Sequence, residues 1–114
     1  MWREIDFIPE TDLDGKYFVS NYGRIISLCR KEPIELKQFV CGNGYFYVSI
    51  GKRDYRVNRL VALAFIPNPD NKRIVHHKDA NRKNNRCSNL EWATDQENIR
   101  ASYKKPKDKE KKDA

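Results

Sequence analysis

The chain has 114 residues, 23 Lys+Arg against 16 Asp+Glu, a formal net charge of +7, and five Phe, six Tyr and two Trp among its 39% hydrophobic residues. That is the length of one small domain with enough aromatic area for a core, which excludes disorder throughout and a large multi-layer enzyme. No run of about 18 apolar residues exists to span a bilayer, and the odd, widely spaced Cys29, Cys41 and Cys87 exclude a disulfide framework and a four-cysteine zinc site.

The first residues, Met1 to Asp6, lack the apolar core of a signal peptide, so a cytoplasmic protein with reduced thiols is expected. Tyr17-Phe18-Val19-Ser20 predicts a strand, Asn21-Tyr22-Gly23 a turn, and Arg24 to Leu28 the returning strand. Cys41-Gly42-Asn43-Gly44 turns into Tyr45 to Ile50, and Gly51-Lys52-Arg53-Asp54 turns again into Tyr55-Arg56-Val57. Polar and apolar positions interleave along these runs, as in a small antiparallel sheet.

The pattern changes at Asn58. Leu60, Leu63 and Ala64 lie at i, i+3 and i+4, predicting a short helix to about Phe65 with Asn58 as its N-cap and Pro67 and Pro69 beyond its end. Short extended runs at Arg73-Ile74-Val75 and Leu90-Glu91-Trp92 bracket a turn-rich stretch, Asp79 to Ser88. Thr94-Asp95-Gln96-Glu97 is a capping box opening a last helix, with Ile99 and Tyr103 on one buried stripe. Residues 104–114 hold six Lys and three acids, +3 of the total charge, and read as a disordered basic tail, either solubilising or drawn to phosphates. An α+β chain results, in three parts: a β-rich N-terminal part at 1–57, a strand–loop–strand–helix unit at 58–103, and the tail.

The chain's two histidines, His76 and His77, are adjacent and open a segment dense in side-chain amides. In a regular strand they point to opposite faces, so a shared site needs the strand to end or kink there. One imidazole can then ligate a metal while the other takes a proton from water, and Asn98 can add a side-chain oxygen. Two or three protein ligands with open positions characterise catalytic metal sites.

His77, Asn89 and Asn98 stand at the spacing of the HNH endonuclease signature, in its His-Asn-Asn variant, and the text from Asn58 to Pro69, from Val75 to Asp79, at Asn84-Asn85 and from Asn89 to Thr94 is similar too. The chain resembles the HNH domains of phage and intron-encoded homing endonucleases. Its first part, Trp2 to Ile5 and Leu13 to Leu28, resembles the nuclease-associated modular motif that often precedes them. The resemblance implies a ββα-metal finger behind a small antiparallel sheet. It implies His77 as general base, Asn89 as the residue that fixes the loop and orients the His77 ring, and His76 and Asn98 as holders of one divalent metal. Mg²⁺ or Mn²⁺ is expected, and His76, where many homing relatives carry Asp, also admits Zn²⁺ or Ni²⁺. Ala80 stands where relatives usually show Gly, which is strained if the loop needs a positive φ, and Asn58 where relatives often have His.

The partner implied is double-stranded DNA, met by a monomer or weak homodimer, in the host cytoplasm if the chain is phage-encoded. Arg24, Arg53, Arg56, Arg59, Arg73, Arg82, Lys83 and Arg86 are the candidate DNA-binding cations, giving affinity without sequence information. Tyr45, Tyr47 and Tyr55 read as sheet packing rather than stacking platforms for bases. A catalytically inactive DNA-binding module is the competing reading; an RNA protein is weaker, because no motif of the usual RNA modules occurs.

Overall fold

A computed structural model describes residues 1–8, 15–28, 31–94 and 96. The predicted last helix, Asn98, Cys29 and the basic tail lie outside the described residues. Among the described residues nine strands and the helix α1 follow in order: β1 Trp2–Glu4, β2 Tyr17–Ser20, β3 Ile25–Ser27, β4 Ile34–Glu35, β5 Phe39–Val40, β6 Phe46–Ile50, β7 Arg53–Arg56, α1 Val57–Phe65, β8 Ile74–His77 and β9 Leu90–Ala93. A 3₁₀ turn, Cys87–Asn89, leads into β9.

The strands form not one antiparallel sheet but two, β1-β2-β3-β4 and β5-β6-β7, besides a separate β8-β9 hairpin. What divides them is a pair of two-residue strands: β4 closes the first sheet on β3, and β5 opens the second on β6. The two stay joined at that point, where Leu36 N donates to Ile25 O and Gln38 Nε2 to Gly23 O.

Helix α1 lies at the centre and packs against strands of all three sheets. Its buried residues include Val57, Leu60 and Val61, at i, i+3 and i+4. The predicted stripe is therefore rotated, since Leu63 is exposed. Asn58 is not the N-cap. β7 runs straight into the helix through an extended Arg56, and Asn58 becomes the second helical residue, buried at 4% exposure. Burying Val57 is worth about 1.5–3 kcal/mol against about 1 kcal/mol for a good cap, so core packing fixes where the helix starts. Val19 and Ile25, Val48 and Ile50, and Leu90 and Trp92 complete one core drawn from all three sheets. Trp92 Nε1 donates to Ile66 O, seating β9 against the carboxyl end of α1.

Candidate active site

The hairpin places both histidines. β8 pairs with β9 in the register Val75↔Trp92, His76↔Glu91 and His77↔Leu90. The strand stays regular as far as His77 and ends there, so the imidazoles leave opposite faces at the strand's end, one of the two conditions that a shared site needs. His77 faces the core with Val75 and is 5% exposed. His76 stands on the other face, its Nε2 3.9 Å from Glu91 Oε2.

The His77 ring is held by Asn85, whose Oδ1 lies 2.8 Å from Nε2. An amide oxygen only accepts, so Nε2 carries the proton and Nδ1 the lone pair. Burial pushes the His77 pKa below its ordinary value, against the raising effects of the Asn85 bond and nearby Asp79. The ring is therefore neutral at pH 7, the form that accepts a proton.

Asn89 fixes the loop but does not reach His77. Its Nδ2 donates to Asp79 Oδ1 at 2.9 Å and to Asn84 O at 2.9 Å, and its Oδ1 accepts from Asp79 N. Asp79 is the hub. Its other oxygen accepts from Asn84 Nδ2, and its Oδ1 also takes the Asn81 amide. With the Asn84 bond as the largest cause, the Asp79 pKa falls to about 2. Ala80 adopts φ 65°, the left-handed conformation that a glycine would take without strain.

Two contacts bring the sheets to this loop. From the first, Cys87 N donates to Asn21 O, and Gly23, at φ +90°, lies so close that a Cβ there would sit 3.0 Å from Asn85 Cβ. From the second, Tyr45 packs against the His77 ring at 6.0 Å between centroids, with the Arg56 and Arg82 guanidiniums over its ring at 4.4 and 5.0 Å. Arg82 also donates to Asn43 O at 2.6 Å. Of the three tyrosines, Tyr55 packs on the core, Tyr47 stacks on Phe39, and Tyr45 is a neighbour of the candidate base.

The other candidate cations are dispersed. Arg24 is paired with Glu35 through two hydrogen bonds and lies over Trp2. Arg59 donates to Arg73 O and covers Trp92, and Arg86 covers Tyr22. Arg53 lines a hollow with Phe7, Leu60 and Leu63; Arg73 and Lys83 are exposed. The sequence assigns no site role to Asn85, Gly23 or Glu91. Asn85 had a usable signal, a second amide in the loop eight residues after His77; the other two emerge only from strand pairing and turn packing. Among the described residues no group of three or more His, Cys, Asp or Glu side chains gathers to hold a metal.

A buried histidine at the end of a β8-β9 hairpin, with an asparagine-held loop between the strands, is the arrangement expected from the sequence motif. A family model of HNH endonucleases matches residues 55–100, and one of the NUMOD4 motif matches residues 1–51. Residues 55–100 thus match HNH endonucleases, and residues 1–51 match the motif that the NUMOD4 model describes. It is 34% identical over 102 residues to DNA endonuclease I-HmuI of Bacillus phage SP01, covering 86% of this chain and 55% of that protein. It is 33% identical over 108 residues to HNH endonuclease L247 of Acanthamoeba polyphaga mimivirus, covering 87% of this chain and 25% of that one. A solved structure of DNA binding and cleavage by the HNH homing endonuclease I-HmuI superposes with a TM-score of 0.75 at 30% identity, over 92% of this chain and 59% of the other. The chain thus spans between a quarter and about half of the length of these curated relatives, and its α+β fold is that of the HNH endonuclease structure it matches.

Proposed function

We propose that this chain is a metal-dependent DNA endonuclease that hydrolyses a phosphodiester, with His77 as general base. The observation that carries the reading is the buried, neutral His77 ring, its Nε2–H given to Asn85 and its Nδ1 lone pair left for chemistry. Nδ1 takes a proton from water while the water oxygen bonds to phosphorus and the bond to the leaving 3′ oxygen breaks. Such a reaction needs positioning and charge neutralisation more than covalent participation by the protein.

His76 and Asn98 would hold one divalent metal. The donor chemistry fits: an imidazole with a carboxylate, Glu91, across the strand pair, and an amide oxygen leave positions for water and phosphate. When bound, the metal supplies charge neutralisation at the phosphate and the leaving oxygen. Mg²⁺ or Mn²⁺ suits this set best, and the imidazole also admits Zn²⁺ or Ni²⁺. Asn89 acts on the loop rather than on the ring, and Asn85 takes over the orienting of His77. Double-stranded DNA is the substrate, tracked by Arg53, Arg56, Arg59, Arg73, Arg82, Lys83 and Arg86; Arg24, tied to Glu35, contributes least. The chain acts as a monomer or weak homodimer in the cytoplasm, the host's if it is phage-encoded.

Supercoiled-plasmid cleavage with Mg²⁺ or Mn²⁺ and with EDTA tests this. Metal-dependent relaxation by wild type, lost in His77→Ala, is the expected result. DNA binding without cleavage in any divalent metal would leave the inactive binding module instead.

A further inference from the structure

Tyr22 is 61% exposed, more than any other large hydrophobic side chain among the described residues except Met1. Leaving such a ring in water forgoes the stabilisation that burial brings, yet the turn that carries it is locked. Ser20 Oγ accepts from the amides of Tyr22 and Arg24 at 3.2 and 2.9 Å, and Ser20 O accepts from Gly23 N. Asn21 O accepts from Cys87 N, and Gly23 O from Gln38 Nε2. A ring held out on a rigid turn gives up little further freedom when it stacks on a partner.

One face of the ring is taken. The Arg86 guanidinium lies over it, 5.3 Å from the centroid, so the exposure falls on the opposite face and the edge. Trp2 carries Arg24 in the same way, but there Glu35 neutralises the cation at 2.7 Å. Arg86 is exposed, and among the described residues no carboxylate pairs with it. The Tyr22–Arg86 pair therefore offers a bare aromatic face beside an uncompensated positive charge, a combination that suits a nucleobase and its phosphate.

The pair adjoins the candidate base. Gly23, next to Tyr22, packs on Asn85, and Asn85 precedes Arg86 and holds the His77 ring. Those short links place Tyr22 roughly 10–15 Å from that ring, about three or four base steps of a duplex.

We infer that Tyr22 is a stacking wedge: in bound duplex DNA its ring enters a base step about three or four positions from the bond that His77 addresses and partly unstacks it, while Arg86 holds the adjacent phosphate. The inference rests on the nuclease reading above and adds to it a contact with bases rather than phosphates. It also gives the chain a preference for steps that unstack easily, TA and CA, which cations on the backbone cannot supply.

The test uses the full chain in EDTA, with duplexes that carry a fluorescent adenine analogue, brighter when unstacked, at successive steps around a mapped nick. Wild type and Tyr22→Phe are expected to raise the emission at one such step, and Tyr22→Ala is not. Tyr22→Ala should bind about five-fold or more weakly with an unchanged slope of log K against log salt. Arg86→Gln should lower that slope by about 1. Tyr22→Ala is expected to melt as wild type does, because the ring is exposed; if it melts lower, the wild-type emission decides alone. No rise at any step with wild type, while plasmid cleavage still depends on His77, would overturn the wedge and leave the nuclease standing. A lowered salt slope in Tyr22→Ala would overturn it too, by making the contact one to phosphate. Wild type that neither binds nor cleaves duplex DNA would overturn the nuclease reading and the wedge together.

Discussion

His77 Nε2 and Asn85 Oδ1 lie 2.8 Å apart, both residues 5% exposed, so a buried donor depends on a single side-chain acceptor. Asn85→Ala removes that acceptor and strands the N–H, for a stability loss of about 1–3 kcal/mol measured by denaturant unfolding. Cleavage is expected to fall further than stability, because the ring loses its fixed tautomer. Asn85→Asp keeps an acceptor but adds a negative charge, favouring the imidazolium. Its pH–rate profile should move to higher pH, and an unshifted profile would separate Asn85 from the ring's chemistry.

The direction of the His77 shift makes a second statement about pH, in metal-free protein. Its folded pKa lies below the unfolded value of about 6.5, so the folded state binds the proton less well. The corresponding stability is fully present above about pH 6.5 and is lost as pH falls through the window below it. Thermal melts between pH 5 and 8 in EDTA should show that slope in wild type and a flatter one in His77→Gln. Equal slopes would mean that the ring is not the group responsible.

Much of this arrangement is legible in the sequence, and what is not has identifiable causes. The turns at Asn21–Gly23 and Gly42–Gly44 announce themselves through Gly and Asn, and the strands beside them through β-branched and aromatic runs. β4 and β5 have two residues each, too few for any periodicity, so the split into two sheets is invisible beforehand. Helix α1 is legible in the sequence but its start is not, because a capping preference is weaker than the pull of Val57 into the core. His76 and His77 stand out as the chain's two histidines, whereas Asn85 looks like any turn-forming amide. Only the folded loop shows that Asn89 points to Asp79 and Asn85 to His77.

Asp79 carries the loop's hydrogen bonds as an acceptor. Its pKa of about 2 means that the loop contributes stability above the unfolded value near 3.9, lost as pH falls toward 2. Asp79→Ala removes acceptors from Asn81, Asn84 and Asn89 at once, so the melt should fall, but on an exposed loop the fold should survive. Cleavage by protein that remains folded should drop at least ten-fold. Carboxyl titration by NMR checks the cause: Asn84→Ala should raise the Asp79 pKa, and an unchanged value would remove Asn84 as its main stabiliser.

Ala80 sits at φ 65° with its amide donating to His77 O. A left-handed non-glycine residue carries about 1–2 kcal/mol of strain that glycine lacks, partly offset by glycine's greater freedom when unfolded. Ala80→Gly is therefore expected to stabilise the protein by about 0.5–1 kcal/mol in denaturant unfolding. No gain, or a loss, would show that the loop holds this conformation without strain.

Gly23 gives the sharpest test of whether the N-terminal sheet supports the site. Its φ of +90° already disfavours any side chain, and an added Cβ would stand 3.0 Å from Asn85 Cβ and 3.2 Å from Asn85 O. Neither neighbour is the free end of a flexible chain, so Asn85 itself must move. Gly23→Ala should cost about 1–3 kcal/mol in stability from the backbone strain. It should also lower cleavage under conditions where the protein remains folded, because a displaced Asn85 no longer holds the His77 ring. Gly42→Ala is the control: nothing lies within 4 Å of a Cβ there and its φ is not positive, so both stability and cleavage should stay near wild type. If Gly23→Ala lowers stability but leaves the cleavage rate of folded protein and its pH profile intact, the first sheet supports the fold without setting the geometry of the base.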